Sequence, residues 1–244
     1  MRSLFRSFDR SGLEYLLISG QASVLYGAST FSEDVDVWVR PTPANLRRLL
    51  RALAACRARV HKLTPPVTLP FVRAGHGFHF VAPSRPLPVY LDVMGRPPRV
   101  GPFAKARRRA RMLRTSWGLL PTVSIEDLVA LKRTRRLSDY EVISNLARIR
   151  ISEERKPTRS LLRWAARNTF RAEERRALLR RLGEPPSLEV CRREIAREVA
   201  AHQRRDAAYW RPRIHGLRRL RRQGRLLPEG LRVARLRRGF GPSA

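Results

Sequence analysis

Apolar residues run almost unbroken from Leu13 to Ile18, which predicts a short buried strand. Gln21 to Tyr26 then sets Ala22, Leu25 and Tyr26 at helical spacing. From Val35 to Val39 the period changes to two. Val35, Val37 and Val39 alternate with Asp36 and Trp38, the pattern of a strand with one buried face. "RPTP" ends that strand, and Pro43 to Arg57 carries Leu46, Leu49, Leu50 and Leu53 on one face of an amphipathic helix. "TPPVTLP" predicts a loop. Phe78–Val81 and Val89–Met94 predict two further strands, joined by "APSRPLP". Strands alternating with helices over the first hundred residues predict an α/β (α+β) fold, a sheet with helices packed on it.

Beyond Val100 the texture changes. "FAKARRRARML" is a basic amphipathic stretch and "GLLPTVS" is extended. "SIEDLVALKRTRR" predicts a helix capped by Ser124, with Glu126 and Asp127 in its first turn where the helix dipole favours acids. "SDYEVISNLARI" predicts another. From about residue 158 to the mid-220s the chain reads as Arg-rich helices broken at 183–187. The expected organisation is a sheet-bearing segment over 1–150, a helical basic region over 151–225 and a flexible tail over 226–244. No internal repeat is visible.

Charge sharpens this division. The chain of 244 residues carries a formal net charge of +32. Residues 1–100 hold 14 basic and 6 acidic side chains, whereas the remainder hold 38 and 14. The excess fits binding of a polyanion such as RNA, centred on the C-terminal part. It fits GC-rich coding equally, because only four of the 52 cations are lysines. Two cysteines, Cys56 and Cys191, make neither a disulfide framework nor a zinc ligand set, so a reducing cytoplasm is expected. No apolar run approaches a membrane span, and "MRSLFRSFDRSGLEYLLI" lacks the long apolar region of a signal peptide.

The candidate chemistry lies in "ISGQASVLYGASTFSEDVDVWV", residues 18–39. In a strand, Asp34 and Asp36 fall on the same face, roughly 6–7 Å apart. Two like charges so placed repel unless a cation relieves them, and a divalent metal does so directly. Asp92, in "VYLDVM", is a third carboxylate at a polar point of an apolar strand. If that strand lies beside the first, three carboxylates converge, a set suited to metal-assisted phosphoryl transfer. Asp-x-Asp also occurs as a solvated strand edge, and a lone Ser-Gly, here Ser19 and Gly20, is a common turn that can also admit a phosphate to backbone N–H groups. The informative feature is their order along the chain.

In that order the stretch resembles the signature of the nucleotidyltransferase (polymerase beta-like) superfamily. There an apolar strand leads to a Gly-Gly or Gly-Ser pair and an Asp-x-Asp follows about a dozen residues later. It is similar in particular to the small bacterial branch with AbiEii-type toxin nucleotidyltransferases. "SIEDLVALKRTRRLSDYEVISNL" extends the likeness, so that it covers roughly residues 10–150. The resemblance implies a nucleotidyltransferase-like mixed sheet. It implies Asp34, Asp36 and Asp92 as catalytic and metal-binding carboxylates, Ser19 and Gly20 as the phosphate-contacting pair, and Lys132 as the lysine near the nucleotide phosphates. Asp139 falls at the acidic position that follows. Thr30 stands where the branch has Arg, and Ser32 where it has Thr.

The implied activity is transfer of a nucleoside monophosphate from a nucleoside triphosphate, with Mg²⁺ or Mn²⁺, to a hydroxyl on RNA such as tRNA, a protein or a small molecule. The resemblance also admits a toxin with an antitoxin partner, or a decayed enzyme acting as an RNA- or protein-binding module. Tyr209 and Trp210 lie among arginines and could stack on bases or pack on the core. A metal-dependent nuclease would use the same carboxylates. It is disfavoured because none of the five histidines neighbours them in sequence, and His76 and His79 read as strand-edge residues.

Overall fold

The computed structural model describes residues 1–183 and 186–236. Its centre is a seven-stranded mixed sheet in the order β3-β4-β5-β2-β1-β7-β6. The strands are β1 (Tyr15–Ile18), β2 (Asp34–Val39), β3 (Arg59–Val60), β4 (Gly77–Ala82), β5 (Val89–Met94), β6 (Arg111–Thr115) and β7 (Gly118–Thr122). β2 pairs in parallel with β5, and β1 with β7, whereas the other neighbours are antiparallel.

The alternation in β2, β4 and β5 decides what each face does. Val35, Val37, Phe78, Phe80, Leu91 and Val93 are buried on one face. Asp34, Asp36, His79, Tyr90 and Asp92 alternate with them and stay partly open. Further along the open face Trp38 closes it: its indole N–H donates to the Gly95 carbonyl at 3.1 Å, and its ring meets the edge of Phe103 at 5.6 Å.

Helices α1 (Arg2–Ser11), α2 (Ser19–Leu25), α3 (Pro43–Ala55), α4 (Leu69–Arg73) and α5 (Phe103–Arg109) belong to the sheet-bearing part. The Thr42 side chain caps α3, whose Leu46, Leu49, Leu50 and Leu53 are buried as their spacing predicts. α1 is an addition to the expected elements. Leu4, Phe5 and Phe8 form its buried face, and Phe5 stacks between Tyr15 and Trp117. Arginines and serines between those three residues hide the periodicity. The basic stretch 103–113 splits into α5 and strand β6, and "TPPVTLP" runs into α4.

The remaining helices are α6 (Ile125–Lys132), α7 (Ser138–Ser152), α8 (Arg159–Asn168), α9 (Ala172–Arg181), α10 (Leu188–Arg222) and α11 (Val233–Leu236). The Arg-rich region is therefore helical. Arg175, 3% exposed, joins α9 to α10 through Glu198 at 2.6 Å and to the Thr169 carbonyl. No helix among the described residues is long and apolar enough to cross a membrane.

The expected flexible tail needs correction over its described part. Leu227 N–H donates to the Thr64 carbonyl and Gly230 N–H to that of Val60, both at 2.9 Å, and Val60 N–H donates to Leu231. Val233 is fully buried. β3 is a sheet-edge strand with free backbone groups, and residues 227–233 satisfy them. Residues 237–244 lie outside the described residues.

Candidate active site

One level of the sheet carries the site. Ile18 on β1 pairs with Asp36 on β2, Asp36 with Asp92 on β5, and Asp92 with His79 on β4. Cross-strand partners point to one face, and neighbouring strands lie about 4.8 Å apart, so Asp36 and Asp92 are side by side. Asp34, two residues before Asp36, shares that face. All three carboxylates line one pocket of about 320 Å³, together with Ser19, Lys132 and Asp139.

Each carboxylate has a different environment. Asp36 lies deepest. Burial, then the charge of Asp92 and that of Asp34, push its pKa up to about 7, against a hydrogen bond from Ser19 and the charge of Lys132. Asp92 Oδ1 is 2.7 Å from Nδ1 of His79. An ionised carboxylate only accepts, so Nδ1 carries the hydrogen and donates it. The Lys62 ammonium is 4.0 Å from Asp34, but it is half-exposed and contributes little.

Ser19 occupies a strained position. Its φ is 58°, left-handed backbone that costs a residue other than glycine about 1–3 kcal/mol. Gly20 is explained by packing, since a Cβ there would stand 2.2 Å from Ser32 Oγ. Ser19 lines the pocket, whereas the open side of Gly20 is filled by Ser32.

Lys132 and Asp139 form a pair. Nζ donates to Asp139 Oδ1 at 2.8 Å, and both side chains are about nine-tenths buried. Thr134 Oγ1 donates to the other oxygen of Asp139. Asp139 therefore fixes the end of α6 and presents the Lys132 ammonium to the pocket. The opposite wall comes from α10. Asp206, 2% exposed, accepts from Arg99 at 2.7 Å and from Arg135 at 3.1 Å. Arg99 also donates to the carbonyls of Ala130 and Leu131, joining three distant stretches of chain.

Two of these groups are invisible to motif reading. His79, expected to be a strand-edge residue, stands directly opposite Asp92. The β4–β5 register creates that contact across 13 residues, and the absence of a histidine near the carboxylates in sequence does not carry over to the fold. His76 does not join it, lying instead beside Phe71. Arg99 is held at the pocket by two α6 carbonyls and by Asp206 of α10, partners that its own surroundings in the sequence do not mark.

No family model matches the chain, and no curated protein does. A crystal structure of an H. pylori protein, described provisionally as a nucleotidyltransferase, is similar over 84% of this chain and 94% of that one. The identity is 13% and the TM-score 0.43. The functional reading therefore rests on the site.

The donor set is open to a divalent cation that also takes oxygens from its substrate. Among the described residues no three His, Cys, Asp or Glu side chains are gathered closely enough to cage a metal alone. Mg²⁺ rarely needs such a cage. It takes one or two carboxylates and completes its shell with water and substrate phosphate oxygens. Asp34 and Asp36 are hard oxygen donors on one face, and such an ion would relieve the repulsion that Asp92 and Asp34 exert on Asp36.

Proposed function

We propose that this chain transfers a nucleoside monophosphate from a nucleoside triphosphate to a hydroxyl acceptor. The observation that carries the reading is the Asp36–Asp92 pairing on β2 and β5, with Asp34 on the same face and Ser19 and Lys132 in the same pocket. The strained Ser19 agrees, since such backbone persists where a site demands it.

Asp34 and Asp36 would hold Mg²⁺, which supplies charge neutralisation for the triphosphate. Lys132, held by Asp139, meets phosphate charge as a point cation. The Ser19 side chain favours the ionised form of Asp36. Asp92, fixed by His79, is placed to receive the proton of the attacking hydroxyl. A bond forms between the acceptor oxygen and the α-phosphorus, the bridge to the β-phosphate breaks, and pyrophosphate leaves with the electron pair.

RNA is the acceptor class that the charge distribution favours. Many arginines of α7 to α9 are paired, as in Arg148–Glu174, Arg171–Glu141 and Arg175–Glu198. His215, Arg218, Arg221 and Arg222 recur at three- and four-residue spacing on α10, and the three arginines make no ion pair among the described residues. Such a stripe suits a phosphate backbone. The AbiEii-type branch and an antitoxin partner rest on the resemblance of residues 18–39 and 124–146, and co-purification from the native host would test them.

The experiment is incubation with Mg²⁺, each of four α-phosphorus-labelled nucleoside triphosphates and total bacterial RNA, beside Asp34→Ala/Asp36→Ala. Label on tRNA-sized RNA from the unaltered protein alone is the expected result. Label on the protein itself would make protein the acceptor. Equal labelling by the double variant, or RNA cleavage without label, would sink the proposal.

A further inference from the structure

Tyr209 and Trp210 are consecutive on α10, so their side chains leave the helix about 100° apart. Tyr209 is fully used in holding the helix. Its hydroxyl donates to the Arg96 carbonyl at 2.9 Å, and the Arg213 guanidinium lies 3.5 Å over its ring. Arg213 in turn donates to the carbonyls of Ala74, at 2.8 Å, and Gly75. The clamp leaves no slack. Gly75 has φ of 80°, and a Cβ there would lie 2.5 Å from the Tyr209 hydroxyl and 2.7 Å from the Arg96 carbonyl. The rotation of α10 about its axis is thereby set.

That rotation brings Trp210 into the pocket of the three carboxylates, one turn beyond Asp206. The ring stays partly exposed. Its aromatic contact is the edge of Tyr209, at 5.1 Å and 88°, and its indole N–H has no partner among the described residues. The other tryptophans are spent elsewhere: Trp38 is buried, Trp117 stacks on Phe5, and Trp164 packs against the core. The pocket wall near Trp210 continues β5 past Asp92 through Met94 to Pro97 and Pro98, with Leu131 from α6. One pocket thus offers apolar surface for a base as well as charged groups for phosphates, and a nucleotide needs both.

We infer that Trp210 is the stacking surface for the nucleobase of the bound triphosphate, a reading that rests on the nucleotidyl transfer proposed above. The tether of Tyr209 and Arg213 to the 74–75 and 96 carbonyls holds the indole ready. Stacking reads the π-face and not the hydrogen-bonding edge, so all four nucleotides are accepted, purines more tightly than pyrimidines.

The test is calorimetric titration of ATP and of inorganic tripolyphosphate, each with Mg²⁺, into the unaltered protein, Trp210→Phe and Trp210→Leu. Leucine is an apolar helix former without a ring, and circular dichroism with thermal melting verifies that both variants fold. Loss of base stacking weakens ATP binding about 5- to 150-fold in Trp210→Leu. Trp210→Phe keeps most of the affinity, and tripolyphosphate binds all three proteins alike. ATP binding unchanged in Trp210→Leu overturns the inference. So does a parallel loss for tripolyphosphate, which would make Trp210 a wall of the phosphate site. Failure of both ligands to bind the unaltered protein removes the nucleotide reading itself, and the stacking role with it.

Discussion

Replacing Asp36 with Asn should make the metal-free protein more stable, and increasingly so as pH rises. Asp36 has its folded-state pKa raised from 3.8 to about 7, chiefly by burial and then by Asp92. A raised folded pKa means the native state holds a proton that the unfolded chain releases. Stability is full below the unfolded value and falls as pH climbs toward 7, after which the penalty is constant. At 1.36 kcal/mol per pKa unit, the shift corresponds to about 4 kcal/mol at pH 8 as an upper bound. Part of the Asp36 surface meets solvent, so about 2–4 kcal/mol is the working range. Asn has the same shape and carries no charge. Urea denaturation in EDTA should show Asp36→Asn ahead by that amount at pH 8 and by about half or less at pH 5. For a chain of this size each kcal/mol moves the melting temperature by about 2–4 °C. Added Mg²⁺ should stabilise the unaltered protein and close the gap. An equal or less stable variant at pH 8, or a difference flat with pH, would refute the account of the site as a crowded carboxylate cluster awaiting a cation.

The His79–Asp92 contact predicts a split between two amides. Asn can place its nitrogen where Nδ1 stands, so His79→Asn should keep most of kcat while His79→Gln loses about tenfold or more with KM unchanged, as steady-state kinetics would show. Gly20→Ala should cost about 1–3 kcal/mol in urea denaturation through its clash with Ser32, and Ser32→Gly in the same chain should restore most of it. Changing Arg218, Arg221 and Arg222 together to Gln should lower RNA affinity and reduce the slope of log K against log salt by about 2, measured by filter binding across salt concentrations, with ATP binding unaffected.

Local period was enough to expose the strands that bear the carboxylates. Val35, Val37 and Val39 alternate so cleanly with their neighbours that the open face of β2 could be read directly, and β5 shows the same alternation around Asp92. What periodicity cannot supply is strand order. The Asp36–Asp92 adjacency depends on β5 lying parallel to β2 with β4 on its far side, and His79 enters only through that order. The α10 wall was illegible for a related reason: Arg99 and Asp206 lie 107 residues apart, and nothing near either marks the other. The last described segment was misjudged because it lies near the end of the sequence and carries the turn residues Pro228 and Gly230, whereas its backbone pairs with β3 and its Val233 side chain is buried in the core.

The contact of residues 227–233 with β3 also sets what a truncation would expose. Gly230 reaches Val60 and Leu227 reaches Thr64, and that edge carries Lys62, the cation nearest Asp34. Trp210 and Asp206 complete the opposite wall. A stop codon shortly before residue 227 would keep the α10 wall but bare the β3 edge, whose free backbone groups invite pairing with another chain.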